Sequence, residues 1–174
     1  MITSQLPLPC EVFRLLVPRY ASTPISGEGA AKAGGRFNRP GLHALYLSVE
    51  LETAIAEYRQ SSPHLLPATL CSYEAILPPL VDLRRLNEGK WDPIWQQWTA
   101  DWRQIKADGK FDPPTWDMAD LALDAGVPGI IFPSVAKPGG TNLVLFLAAL
   151  AGEGTISVID PNHALPNNQR SWEF

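Results

Sequence analysis

The chain has 174 residues, 45% of them hydrophobic, and its 14 basic against 18 acidic side chains give a net charge of −4. This length supports one sizeable core and leaves no room for a second, so a single domain over residues 1–174 is expected. The acidic balance argues against nucleic acid as the main ligand, because binding to a phosphate backbone draws on clustered Lys and Arg.

Cys10 and Cys71 lie far apart, and His43, His64 and His163 lack the close spacings of zinc sites, so neither a disulfide framework nor a metal is implied. The segment from Met1 to Cys10 has no basic start and no long apolar stretch. The longest apolar run, Leu143 to Ala151, falls well short of the roughly 20 residues that span a bilayer. A cytoplasmic protein without a membrane partner is expected.

In chain order, Glu11 to Val17 is rich in β-formers and stops at Pro18, which predicts a first strand. The glycine-rich stretch from Ala21 to Gly41 predicts a long loop, and long loops in compact domains usually carry function. His43 to Ser48 predicts a second strand, with Ser48 placed to cap a helix over Glu50 to Tyr58. In that helix Leu51, Ala54, Ile55 and Tyr58 share a face at core-packing intervals, and Glu57 sits on its flank.

Leu70 to Leu77 and Leu80 to Leu83 predict further strands, separated by Pro78 and Pro79. Trp91, Ile94, Trp95, Trp98, Trp102 and Ile105 fall at helical intervals and predict one amphipathic helix, with Pro93 tolerable in its first turn. Trp116 to Ala125 predicts another helix, stopped by Gly126 and Pro128. Gly129 to Phe132, Asn142 to Leu147 and Thr155 to Asp160 predict the last strands, the first two apolar enough to be central in a sheet. This order gives an α+β fold with mixed or antiparallel sheets and flanking helices, not a doubly wound one.

The densest chemical signal is Ser26 to Ala30 followed by Gly34, Gly35, Arg36, Phe37, Asn38, Pro40 and Gly41. Glycines let backbone N–H groups approach an anion, and an arginine among them supplies a planar fork suited to pyrophosphate. A flexible surface loop with a solvated arginine explains the same residues. Ser134, after Phe132 and Pro133, stands where strand ends commonly present ligand-binding groups, though a serine there is also an ordinary turn former. No Gly-x-Ser-x-Gly elbow surrounds it, so a serine-hydrolase triad is poorly supported. Taken alone, Glu57 reads as a solvated helix residue, and Asp117, Asp120 and Asp124 as a wet helix face. The tryptophan stripe reads as core, with a surplus that suits a protein interface or homodimerisation.

Several of these residues occur together in an order that resembles a known family. Phe13 and Arg14 come first, then Ser26 to Ala30, Gly34 to Asn38 with Pro40 and Gly41, and Leu45 to Ser48. Ala54 with Glu57 three residues on, Phe132 to Ser134, and Asn142 with Leu143 complete the series. The pattern resembles the RES-domain family, named for its arginine, glutamate and serine, from about Cys10 to Ala148, with 149–174 left as a final strand and tail. The resemblance implies a fold similar to the ADP-ribosyltransferase toxins, NAD as substrate without a metal, and the role of toxin beside an Xre-type DNA-binding antitoxin.

It also places the family's arginine on Arg36, its tyrosine on Tyr46, its glutamate on Glu57 and its serine on Ser134, with Arg14 matching the arginine of the first strand. Glu52 is the rival glutamate, on the opposite flank of the helix. By this resemblance Glu57 stabilises the positive charge that develops on the ribose as nicotinamide leaves. Arg14 and Arg36 clamp the pyrophosphate, Tyr46 faces the nicotinamide ring, and Ser134 bonds the carboxamide or positions Glu57, with Asn142 also among the NAD-binding residues. The acceptor of ADP-ribose is water, phosphate or a side chain on a target protein. Ile55 stands two positions before Glu57, where many arginine-modifying transferases have an acid, which argues against an arginine acceptor. The competing readings are a non-catalytic protein-binding module and, less well supported by charge and by the missing His pair, an RNA-cleaving toxin.

Overall fold

The computed structural model describes residues 1–60 and 62–170, so the end of the expected C-terminal tail, 171–174, lies outside the described residues. Eight strands among these form one sheet in the order β1-β5-β6-β7-β3-β2-β4-β8. They are β1 (Thr3–Ser4), β2 (Cys10–Leu16), β3 (Ala44–Ser48), β4 (Thr69–Ile76), β5 (Leu80–Asp82), β6 (Gly129–Pro133), β7 (Thr141–Phe146) and β8 (Thr155–Val158). Every pairing is antiparallel except β5 with β6. The helices are α1 (Glu28–Ala33), α2 (Leu51–Arg59), α3 (Trp102–Asp108), α4 (Pro114–Asp124) and the single turn α5 (Leu147–Leu150). The expected α+β class with a mixed sheet is therefore the observed one.

Strand β7 is apolar along most of its length because both of its faces are covered. Leu143 and Leu145 join one buried cluster with Val12, Leu45, Leu47, Tyr73 and Ile131. Val144 and Phe146 join the other, with Phe37, Trp95, Met118, Ile130 and Phe132. The first cluster draws on β2, β3, β4, β6 and β7 together, so the sheet curls around it as a half-barrel. On the second face α4 closes the core, burying Met118, Ala119 and Ala122.

Three sequence expectations need correction. The stretch from Ala21 to Gly41 is a tied-down segment, not a plain loop: it contains α1, and Asn38 Nδ2 donates to the carbonyls of Ala30, Arg39 and Leu42. Ser48 does not cap α2. It lies in β3 opposite Asn142, and its Oγ donates to Asn142 Oδ1 at 2.7 Å. The tryptophan segment is not one helix but a 3-10 turn over Pro93–Gln97 followed by α3. Asp92 caps the first by accepting from the Ile94 N–H, and Asp101 starts the second by accepting from Gln104 N–H, so an internal cap interrupts the period. Within this stretch only Trp95 is deeply buried. Strand β1, α1 and α5 are additions that the sequence did not suggest. Among the described residues no helix is long and apolar enough to cross a membrane.

Candidate functional site

Strands β2 and β3 touch at one register pair, Phe13 with Ser48, whereas β2 pairs with β4 across seven residues and β3 with β7 across five. Where the two strands diverge a cleft of about 420 Å³ opens. Phe13 and Arg14 of β2, Tyr46 and Ser48 of β3, Gly34 to Arg36, Glu57 of α2 and Asn142 of β7 all line it.

Helix α2 delivers Glu57 to this cleft. Its buried positions are Thr53 and Ala54, so its inner face keeps Ala54 of the expected stripe but is rotated toward Thr53, leaving Leu51, Ile55 and Tyr58 only partly buried. Glu57, three and four residues beyond those buried positions, falls on the same side. The helix lies close because a Cβ on Gly140 would collide with the Thr53 side chain. Its first turn is tethered by Glu50, which accepts from the Thr53 hydroxyl and the Thr141 N–H, each at 2.8 Å. Glu52 points to solvent on the far side.

The Glu57 carboxylate is fixed from three directions. Oε1 accepts from Ser134 Oγ at 2.6 Å and from Asn142 Nδ2 at 2.5 Å, and Oε2 is contacted by the Gln60 amide. Ser134 Oγ also accepts from the Lys137 N–H at 2.9 Å, so the serine forms its turn and holds the acid at once. Asn142 is oriented by Ser48, giving a continuous chain of donation from Ser48 through Asn142 to Glu57. Oε1 is occupied twice from inside the fold, whereas the Gln60 contact on Oε2 is exposed, so a bound molecule would reach the carboxylate by displacing Gln60. Ser134 and Asn142 thus act through Glu57 here.

Two arginines face the same space. Among the described residues Arg14 Nη1 is buried with no hydrogen-bond partner. Burial pushes its guanidinium below the usual arginine range, opposed by Tyr73 and Cys71 nearby. Arg36 is lowered in the same sense, first by burial and then by the charge of Arg103, against the pull of Glu57, Tyr46 and Asp101. Its Nη1 donates to the Trp98 carbonyl at 2.9 Å. Buried cations short of counter-charges form a place for an anion.

Tyr46 has a scaffold role beyond the one expected. Its hydroxyl donates to Asn38 Oδ1 at 2.8 Å and accepts from the Phe37 N–H at 2.9 Å, which locks the glycine segment beside Arg36. Burial pushes this phenol well above its ordinary value, so it remains a neutral donor. Gly35 passes so close that an added Cβ would stand 2.6 Å from the Tyr46 hydroxyl. Trp116 Nε1 holds the same segment through the Gly35 carbonyl at 2.8 Å.

All five residue positions expected for NAD, Arg14, Arg36, Tyr46, Ser134 and Asn142, therefore converge with Glu57, with Ser134 reaching it through Glu57. Sequence reasoning missed Ser48, Gln60, Trp102 and Arg103. It also misread Asp117 and Asp120, which with Asp112 surround Arg39 instead of facing only water. Arg39 lies 5.5 Å from the Trp116 ring centre, so this cluster staples the glycine segment to α4.

The curled sheet and its cleft define a fold seen before. A chain of the crystal structure of the M. tuberculosis MbcT-MbcA toxin-antitoxin complex superposes on this one with a TM-score of 0.58 at 17% identity, covering 91% of this chain and 87% of that one. No curated protein matches the sequence. The model of the RES domain matches residues 11–167, and the chain belongs to the RES domain family.

Proposed function

We propose that the chain is the toxin of a toxin–antitoxin pair, and that it binds NAD in this cleft and cleaves the bond between nicotinamide and ribose. The observation that carries the reading is Glu57, held by Ser134 and Asn142 at a cleft that is also lined by two half-buried arginines, Arg14 and Arg36. The orphaned Arg14 Nη1 is a direct point of fit, since a pyrophosphate oxygen would satisfy it.

When the C1′–N bond breaks, its electron pair leaves with nicotinamide, which becomes neutral, and positive charge develops on the ribose ring. A carboxylate already oriented by the fold stabilises that charge without reorganising at the moment of reaction. Tyr46 lines the same cleft and offers an aromatic wall to the cationic ring. An acceptor then bonds to C1′ and loses a proton, with water, phosphate and a protein side chain as the three classes. Ile55, two residues before Glu57, argues against an arginine side chain.

An antitoxin would act by covering the cleft, and a net charge of −4 suits a basic, DNA-binding partner of the Xre type. The site of action on this reading is the cytoplasm, where NAD is abundant. The test is incubation of the purified chain with NAD, with and without a lysate, following free nicotinamide and protein-bound ADP-ribose. Release without lysate supports attack by water or phosphate. Release that needs lysate and gives a labelled band supports a protein acceptor, and no release under either condition overturns the reading.

A further inference from the structure

Helix α3 contributes two adjacent residues to the cleft for which the fold itself has little use. It buries none of its side chains fully, yet Trp102 and Arg103 both line the cleft that holds Glu57 and Asn142. Trp102 is half-exposed there, an expensive place for an indole that packs no core. The Arg103 guanidinium lies 4.8 Å from the centre of the Trp102 ring, covering its face. The helix is seated on the glycine segment by cations reaching carbonyls: Arg36 Nη1 donates to Trp98, and Lys106 Nζ to Ala33.

Glu57 and Asn142 line this cleft together with Trp102 and Arg103 of α3, and Arg36 lines it with both groups. Arg36 is lowered first by burial, then pushed further from its charged form by Arg103 and pulled back toward it by Glu57. Two guanidiniums facing one space with an indole beside them match a phosphate that carries a base: the planar cations take phosphate oxygens, the indole stacks the base, and in NAD that base is adenine.

We propose that Trp102 and Arg103 form the purine-nucleotide end of the cleft, with adenine stacked on the Trp102 indole and the neighbouring phosphate shared between Arg103 and Arg36. This rests on the NAD reading above and assigns the half of the dinucleotide remote from the reacting bond. Adenine takes the ring face that Arg103 covers in the free protein, and the displaced guanidinium turns to phosphate. The site therefore exchanges one cation–π contact for a base stack and a charge-assisted hydrogen bond.

ADP tests this without turnover, because it lacks nicotinamide. Titrated into the full chain and followed by calorimetry and tryptophan fluorescence, ADP binds and quenches emission. Trp102→Ala weakens ADP by about tenfold or more, the loss expected for one base stack, while Trp102→Phe keeps most of the affinity. Arg103→Ala weakens ADP more than it weakens adenosine, and Lys110→Ala, a cation just beyond α3, changes neither. With NAD as substrate, the loss in Trp102→Ala falls on KM rather than on kcat. Equal ADP affinity in wild type and Trp102→Ala, both folded by thermal melting, overturns the assignment, as does a wild-type chain that binds nicotinamide mononucleotide but not ADP. Trp102-dependent ADP binding in a chain that releases no nicotinamide would keep this subsite and remove the cleavage reading instead.

Discussion

Ser134 and Glu57 stand 77 residues apart in the chain and meet at 2.6 Å, the serine hydroxyl donating to the carboxylate. The serine is itself anchored by the Lys137 N–H, so the turn after β6 sets where the acid points. Ser134→Ala removes one of the two donors on Oε1 and leaves the cleft open. Because a small misplacement of a reacting group costs up to about a hundredfold, kcat for nicotinamide release is expected to fall by about 10–100-fold with little change in NAD affinity. Asn142→Asp is expected to do worse than Asn142→Ala, since it sets a second negative charge 2.5 Å from the first. Steady-state kinetics on the three variants check the order.

Gly35→Ala is expected to disturb the site without touching Glu57. The added methyl would lie 2.5 Å from Asn38 Oδ1 and 2.6 Å from the Tyr46 hydroxyl, so the contact that orders the glycine segment must open. The cost is about 1–3 kcal/mol, as for other overpacked positions, together with weaker NAD binding. Gly29→Ala is the control: nothing lies within 4 Å of its Cβ, and α1 should gain about 0.5–1 kcal/mol. Thermal melting and NAD titration of both variants separate the two outcomes.

How much of this was legible in the sequence depends on the range over which each residue acts. The strands from Cys10 and from Ala44 follow from local composition, and β6 and β7 from apolar runs that only a doubly covered strand carries. Glycine composition already offered Arg36 as an anion-binding residue beside the plain-loop reading, and Ser134 stood at a strand end, but Glu57, which alone reads as solvated, was visible only through the joint family pattern. Ser48 shows why local signals fail: a serine before a helix looks the same whether it caps the helix or turns inward, and the choice was made by its strand partner Asn142, 94 residues away. Asp101 likewise breaks the tryptophan period by one hydrogen bond that helical spacing does not reveal. The pairing of Arg39 with Asp112, Asp117 and Asp120 joins segments more than 70 residues apart and has no local trace.

Arg14 should cost the fold stability in return for binding. Its Nη1 is buried without a partner among the described residues, and burial lowers the guanidinium below its ordinary range. Replacing a buried, uncompensated cation by an apolar side chain of similar length relieves that cost. Arg14→Met is therefore expected to raise the melting temperature by about 2–4 °C, the shift that corresponds to about 1 kcal/mol in a chain of this size, while weakening NAD at least tenfold. A lower melting temperature would mean that Arg14 stabilises the free protein.

Asp82 sets an acid limit to stability. Burial works to raise its carboxyl, but Arg84 through two side-chain bonds and its N–H, with Ser4, outweighs this and holds it below the ordinary carboxylate value. A carboxyl depressed in the folded state contributes stability that is complete above the unfolded value of about 3.9 and is lost as pH falls toward the folded value. Denaturant midpoints are thus expected to be flat in this contribution above about pH 5 and to drop below about pH 4, with Asp82→Asn lower at neutral pH and less steep in acid. Equal slopes for the two proteins would remove Asp82 as a source of the acid limb.

Glu57 is the group that stabilises the charge forming as nicotinamide leaves in the proposed reaction. The most direct measurement compares nicotinamide release by wild type and Glu57→Gln at saturating NAD, with NAD affinity measured by calorimetry on the same preparations. Release is expected to fall by about 10²–10³-fold in the variant, the range seen when one preorganised charge-stabilising group is lost, with affinity held within a few-fold. Turnover by Glu57→Gln equal to wild type would contradict this role of Glu57.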